Sequence, residues 1–548
     1  MLIFIKAFIY IFYQFFKFQL SLISKPKKKI KEIESIKKHL TSGEKTKGKN
    51  KNNILLISFV HQPGFIFSDC LLVSSLKKIF HCNVHGLVDQ NDEQAENFLY
   101  IIESTKNYFY KKNNIITKIK YLIYSYKYFK NLKNIDDLLN LKIDKIEVGR
   151  AIYENYVRNS NTGYIRKIDF KILYFLSECY YLINFTQNLI KNNKYKYIII
   201  SERQFIPSNI IFQVSLKLGV KVISRISGPK KIGVSICSSF KNRNKSEIRV
   251  GYEMFNSLNK NKKNKYSRLG YSMVKKLLDG KVINYDRNIS KNYFLNDKNE
   301  KMKTEDFFKI TGLNRNKKNC FIFSHNLLDG NLFGKSRIIY YDYLTWLRET
   351  LNYINKLNND NVNWIIKEHP SDYGFKKMQT NTLNEFNKII TSKNIKFFPK
   401  NIKNSVIREV ADCVITLSGS VGMEYPCFGI PSINSAGIFY SGYGFTNDFN
   451  NKKEYFNYLK NIELVIKKEM SIQQIQKARV HYYIINELIK CDHNYLYDYD
   501  ISRKINDDLF YKKINKILKQ KNGDKDFFSY FKKQIYDNKE FLVNEAKL

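Results

Sequence analysis

The sequence predicts an α/β protein built on parallel sheets. Short apolar runs of strand type recur along the chain, separated by segments of helical length, which is the pattern of β-α-β units. Several runs break into polar residues just where a parallel strand would end. At 548 residues the chain exceeds one ordinary core, so two such domains with additions are expected.

The first element is apolar and aromatic, residues 1–24. On a helix, Lys6, Tyr10, Tyr13, Gln14, Lys17 and Ser21 form one stripe, and Phe, Ile and Leu cover the rest. That is an amphipathic, membrane-interface helix, with a single spanning anchor as the alternative reading. No small-residue cleavage site follows, as a signal peptide would require. Residues 25–52 form a basic linker. It opens on Lys25-Pro26-Lys27-Lys28-Lys29-Ile30-Lys31, a run suited to an anionic inner-membrane surface.

An N-terminal Rossmann-like domain is expected over 53–315. Its strands are 53–60, 83–88, 197–201 and 220–224, with helices 69–79 and 209–218 and a mostly helical insertion over 100–190. A second Rossmann-like domain is expected over 316–470, with strands at 320–324, 363–367, 395–398, 413–416 and 431–434 and a helix over 341–357. Residues 471–548 read as a helical, basic tail.

The formal net charge of +43 favours anionic surfaces and phosphorylated substrates. It does not define a nucleic-acid binder. The lysines are spread along the chain with Asn, Ile, Tyr and Phe, the composition of an AT-rich genome, and no recognised nucleic-acid motif is present. The eight cysteines form no CxxC pair and sit in apolar runs, so reduced core residues of a cytoplasmic protein are expected. Asp498-Tyr499-Asp500 has metal-ligand spacing but lies outside any strand context, and it reads as a solvated turn. There is no Gly-x-x-x-x-Gly-Lys phosphate loop.

The chemistry gathers at three strand ends. Phe321-Ile322-Phe323-Ser324 runs into His325. Trp364-Ile365-Ile366 runs into Lys367-Glu368-His369-Pro370. Val414-Ile415-Thr416-Leu417 runs into Ser418-Gly419-Ser420. Ligands of open α/β sheets bind beyond the carboxyl ends of the strands. Lys367 and His369 can neutralise a phosphate, and a helix starting at Ser418–Ser420 would offer N–H groups to its oxygens. Glu424, one turn on, could accept from ribose hydroxyls or simply complement the helix dipole.

In that order, His-Pro, Ser-Gly-Ser, Gly-x-Glu and the Gly429-Ile430-Pro431 turn resemble the C-terminal domain of GT-B glycosyltransferases. The closest group is the bacterial capsule polysaccharide biosynthesis proteins, which include Kdo and sialic-acid transferases. The resemblance covers about residues 316–445. It implies a GT-B-like fold, two Rossmann-like domains facing a cleft. It also implies that His369, Pro370, Ser418 and Ser420 contact the nucleotide phosphate, with Glu424 on the ribose. Sialyltransferases of this kind carry an acidic pair and a Gly in the first domain. Residues 53–250 lack that triplet, and Leu328-Asp329-Gly330 is the nearest look-alike, so CMP- and UDP-linked donors both stay open.

The general base should come from the first domain, within about 2.6–3.2 Å of the acceptor hydroxyl. Glu202 and His61, at strand ends, are the candidates, and Asp69 is better read as a helix N-cap. Arg203 suits an acidic substrate or a surface ion pair. The expected function is metal-independent transfer of a sugar from a nucleotide-sugar donor to a surface polysaccharide or lipid-linked glycan, at the inner face of the cytoplasmic membrane. No cofactor and no nucleic-acid partner are expected. The alternatives are a teichoic-acid-type polyol-phosphate transferase, a nucleotide-sugar 2-epimerase, and a non-catalytic capsule assembly or export factor.

Overall fold

The structure is a computed structural model. It describes residues 2–22, 31–41, 52–60, 63–90, 92–110, 115–160, 162–226, 231–244, 248–279, 303–373, 380–399, 402, 404–492, 507–520 and 525–548. His61, Asp498–Asp500 and most of the expected basic linker lie outside the described residues; the linker's described part is no linker but a helix, Glu32–Thr41, whose Ile33, Ile36 and Leu40 are buried in a core.

The chain divides into two compact units. The first comprises Met1–Tyr156, Ile165–Arg243 and Leu488–Leu548, and the second Val157–Tyr164 and Asn244–Glu487. Boundaries expected at 315 and 470 therefore fall at 243 and 487. The helix Lys260–Leu278 packs in the second unit against the helix Ile472–Tyr483. The end of the segment expected as a helical, basic tail belongs to the first unit, where Phe510, Tyr511, Ile514, Phe531 and Leu542 enter the core. Its last stretch also pairs with a sheet edge, since Leu542 N–H donates to Val234 O and Ile236 N–H to Glu540 O. Its apolar positions are spaced for one buried helix face, and the many lysines obscure that spacing.

In the first unit the sheet strands are β1 Asn53–Ser58, β2 Asn83–Asp89, β3 Lys106–Tyr110, β4 Tyr195–Ile200, β5 Lys221–Arg225 and β6 Val234–Cys237. Their order is β3-β2-β1-β4-β5-β6, parallel except for β6, which runs antiparallel to β5. β3 lies inside the 100–190 stretch expected to be mostly helical, and β6 is a strand that the apolar pattern does not predict. β3 is an edge strand with an exposed start, so it lacks the apolar run that marks its neighbours.

In the second unit they are β7 Lys318–Phe323, β8 Val362–Lys367, β9 Ile395–Phe397, β10 Cys413–Thr416, β11 Ser432–Asn434 and β12 Asn447–Asp448, ordered β9-β8-β7-β10-β11-β12 and all parallel. Side chains alternate between two buried faces. Cys320, Ile322, Trp364, Ile366, Cys413 and Ile415 join one core. Phe321, Ile365 and Val414 join the other. A sheet covered on both sides explains why these strands read as continuous apolar runs rather than as alternation. All eight cysteines are free and buried.

Both sheets follow the doubly wound 3-2-1-4-5-6 order. The chain leaves the central strand toward one edge, then crosses back to the other. The crossing lies between β1 and β4 in the first unit and between β7 and β10 in the second. At such a point the loops after the two strands diverge and leave a crevice.

The N-terminal helix Leu2–Leu22 packs on the helices Ile115–Phe129 and Phe170–Asn193 of the first unit. Ala7 and Ile11 are buried, and the Tyr10 ring meets Phe170 and Tyr174 edge-on. Tyr10 and Gln14 were expected on the watery stripe, and they are instead partly covered. The Tyr10 body packs well while its hydroxyl can still reach a polar partner.

Candidate functional site

The three polar breaks converge at the carboxyl ends of adjacent strands. His325 follows β7, Lys367 to Pro370 end and follow β8, and Ser418 to Ser420 follow β10, with β7 central between the other two. His325 and Ser418–Ser420 thus flank the crossing point of the sheet.

At this crossing the hydrogen bonds form one directed chain. Gly419 N–H donates to Thr416 Oγ1 at 3.0 Å. Thr416 Oγ1 lies 3.0 Å from His325 Nε2, and Ser418 N–H donates to the same nitrogen at 3.2 Å. A nitrogen that accepts from an amide carries no proton, so the Thr416 hydroxyl donates to it and the ring proton sits on Nδ1. Burial holds His325 well below the usual histidine range, with nearby His369 and Lys335 acting in the same direction. The ring stacks on Tyr343, with centroids 4.2 Å apart, and Tyr343 Oη lies 3.0 Å from Ser418 Oγ.

This network amends the expected role of the loop. The N–H groups of Ser418 and Gly419 are spent inside the protein, and the turn continues through the exposed Ser420 and the half-buried Val421. The following α-helix is also short, Val421–Glu424, and passes into a 3-10 turn, Tyr425–Phe428. Gly419 is required by contact rather than by dihedral angle, because a Cβ there would lie 2.8 Å from Thr416 Oγ1. At Gly422 a Cβ would run into Asn434 Oδ1 and Tyr440 Oη. The Tyr440 hydroxyl donates to the Gly419 carbonyl and pins the turn. Glu424, expected on a ribose or at the helix dipole, is buried at 3% exposure.

Beside this turn stands the end of β8. Lys367 closes a fully buried strand and is itself buried, its ammonium 4.8 Å from the Phe398 ring centroid. Burial pulls its pKa down to about 7, with Glu368 opposing. His369 is pulled to about 4 by burial and by the Lys367 charge. Pro370 begins a 3-10 turn in which Asp372 N–H donates to the His369 carbonyl at 3.0 Å. Burial pushes the Asp372 carboxyl up to about 7. Thr382 Oγ1 donates to Asp372 Oδ2 at 2.5 Å and lies 2.7 Å from Ser324 Oγ, so the His369 turn is tied back to the end of β7.

Ser324, Tyr343, Asp372, Thr382, Thr416 and Tyr440 are site residues that sequence reasoning missed. Thr416 and Ser324 stood in view as the last residues of apolar runs. The others come from loops and helices whose convergence only the fold supplies.

The first unit carries a different set at its own crossing. Asp69 is no N-cap: it lies inside the helix Pro63–Phe80, buried, accepting from the Ser201 hydroxyl beyond β4. Arg225 Nε at the end of β5 lies 3.8 Å from Asp69 Oδ1. Burial still pushes Asp69 up to about 6 against Arg225 and Ser201. Glu202 is half-buried and accepts from the Gln204 N–H at 2.6 Å. Arg203 lies over the Phe212 ring at 5.6 Å. His61 lies outside the described residues. Among the described residues, no three His, Cys, Asp or Glu side chains gather as metal ligands.

No family model matches the chain, and no curated protein does. Among solved structures it is similar to the KpsC β-Kdo 2,4-transferase of Thermosulfurimonas dismutans, with 12% identity over 59% of this chain and 87% of that one, TM-score 0.35. A glycosyltransferase of Rickettsia africae aligns at 12% identity over 85% and 99% of the two chains, TM-score 0.29. A putative UDP-N-acetylglucosamine 2-epimerase of Listeria monocytogenes aligns at 9% over 78% and 90%, TM-score 0.27. Likenesses this distant carry no weight for function, which rests on the strand ends.

Proposed function

We propose that the protein is a glycosyltransferase of GT-B type, and that the ends of β7, β8 and β10 hold the phosphate of a nucleotide-sugar donor. The observation that carries this reading is the placement of His325, of Lys367 and His369, and of the Ser418–Ser420 turn on three neighbouring strand ends at the crossing point of a doubly wound sheet.

A buried lysine whose pKa is pulled down to about 7 is half-charged at neutral pH, and an arriving phosphate favours its charged form. Lys367 is then a cation supplied on demand, in a place where little water screens it. Ser420 and Val421 offer N–H groups to the same phosphate. His325, neutral and locked in one tautomer, fixes the turn and is a positioning residue.

In the reaction, the acceptor hydroxyl oxygen attacks the anomeric carbon and the bond from that carbon to the donor phosphate breaks. The nucleotide leaves with the electron pair, and the hydroxyl proton passes to a base. Lys367 and His369 stabilise charge as it builds on the leaving phosphate. For the base we propose Glu202, which follows β4 of the first unit, or His61. The acceptor we propose is a surface polysaccharide or lipid-linked glycan, and the donor a CMP- or UDP-linked sugar.

The test is a transfer assay over a panel of CMP- and UDP-sugars, followed by His369→Ala with the donor that works. We expect rates to fall about 10²–10³-fold with the fold retained. An unchanged rate would sink the assignment. Release of free 2-epimerised sugar nucleotide without acceptor would replace it with an epimerase.

A further inference from the structure

We infer that the N-terminal helix and the helix Ile115–Phe129 together form a contact face for an anionic lipid bilayer. The N-terminal helix is occupied on one side by the first unit, through Ala7, Ile11 and Tyr10. Its other side is uncovered and apolar: Leu2 is 65% exposed, Ile9 60%, Phe16 60% and Leu20 68%. Beside it the helix Ile115–Phe129 leaves Ile116 72% and Ile123 56% exposed. The two helices touch, the Phe4 and Tyr126 rings meeting edge-on at 5.3 Å. The two helices therefore lie side by side on the first unit, each with an uncovered apolar side. Exposed apolar area of this extent marks an interaction site.

Charge selects the occupant. Neither helix contains an Asp or Glu, while Lys6, Lys17, Lys120 and Lys127 are all exposed among the apolar residues. The sequence then adds Lys25, Lys27, Lys28, Lys29 and Lys31 directly after the first helix. Leu, Ile and Phe interleaved with lysine suit the headgroup and upper acyl region of an anionic leaflet, where each lysine strengthens partitioning about fivefold. A spanning position for the first helix would require stripping Ala7, Ile11 and Tyr10 from the first unit. The helix lies in the interface, and the protein rests on the membrane through two helices rather than hanging from one anchor.

The test is co-sedimentation of the full chain with phosphatidylglycerol–phosphatidylcholine vesicles and with pure phosphatidylcholine vesicles. We expect binding to the anionic vesicles that weakens with salt and is much weaker on pure phosphatidylcholine. Ile9→Glu and Ile123→Glu should each reduce bound protein about tenfold. Both sites are exposed, so unfolding is unexpected, and circular dichroism checks it. As a second reading, Ile123→Trp should be quenched by brominated lipid.

No binding to anionic vesicles overturns the inference. So does Ile9→Glu losing binding while Ile123→Glu keeps it and Ile123→Trp stays unquenched, since the first helix then acts alone. A stable dimer that Ile9→Glu dissolves, without vesicle binding, assigns the face to a second copy of the chain. The readout is lipid, not transfer, so failure here leaves the donor-site reading untouched.

Discussion

The two units share a strand order and differ in what they place at its crossing point. In the second, β7 and β10 bring a neutral histidine, a threonine hydroxyl and a glycine turn into one hydrogen-bond chain, with a buried lysine alongside. In the first, the corresponding region holds a buried carboxyl against an arginine, with Glu202 at the rim. One arrangement presents donors and positive charge, and the other presents carboxylates. On the function proposed above, the same fold supplies an anion site in one half and proton acceptors in the other. Topology gives the place and side chains give the chemistry.

The largest effects should separate the two halves. Glu202→Gln keeps an oxygen to accept the Gln204 N–H, so the local turn should survive. If Glu202 is the base, transfer falls about 10²–10⁴-fold while nucleotide affinity stays as it was. His369→Ala should lower both. Equal losses of nucleotide affinity in the two variants would erase the division of labour.

A smaller effect probes the chain of hydrogen bonds itself. Thr416→Val keeps the volume but strips the acceptor of Gly419 N–H and the donor to His325 Nε2. Leaving buried polar groups unmatched costs about 1–3 kcal/mol. Thermal unfolding should show the loss, and nucleotide affinity should fall with it. A Thr416→Val variant as stable as the parent would show that the network is not holding the turn.

The smallest concerns Asp372. Its folded pKa of about 7 lies above the unfolded value of about 3.9. Between those values the native state holds a proton that the unfolded chain has released, so this group's contribution to stability falls as pH rises from about 4 to 7. Asp372→Asn removes that decline. The variant should melt a few degrees higher than the parent at pH 8, roughly 2–4 °C, and about level with it at pH 4. A constant difference across that range would contradict the buried, proton-holding carboxyl.

Much of this is legible in the amino-acid sequence. The runs at 320–324, 363–367 and 413–416 are strands within two residues of their expected ends, because strands buried on both faces carry dense apolar sequence. What failed was what depends on neighbours. Lys106–Tyr110 is a strand only through its pairing with β2, since its own residues are half polar. Asp69 looked like a helix start because Arg225 and Ser201, which account for it, lie more than a hundred residues away. The donors expected at Ser418 and Gly419 are consumed by His325 and Thr416, and no spacing in the sequence shows that.

The central claim is that the second unit's strand ends bind a nucleotide phosphate through Lys367. Calorimetric titration of UDP and CMP into the full chain, from pH 6 to pH 9, tests it most directly alongside Lys367→Met. Phosphate binding should raise the lysine pKa above its free value near 7. Affinity should therefore weaken by up to about tenfold per pH unit above 7, with proton uptake on binding. Lys367→Met should bind weakly and without that pH dependence. Wild-type affinity that is flat across the range, or a Lys367→Met variant that binds as well as the parent, would contradict the account.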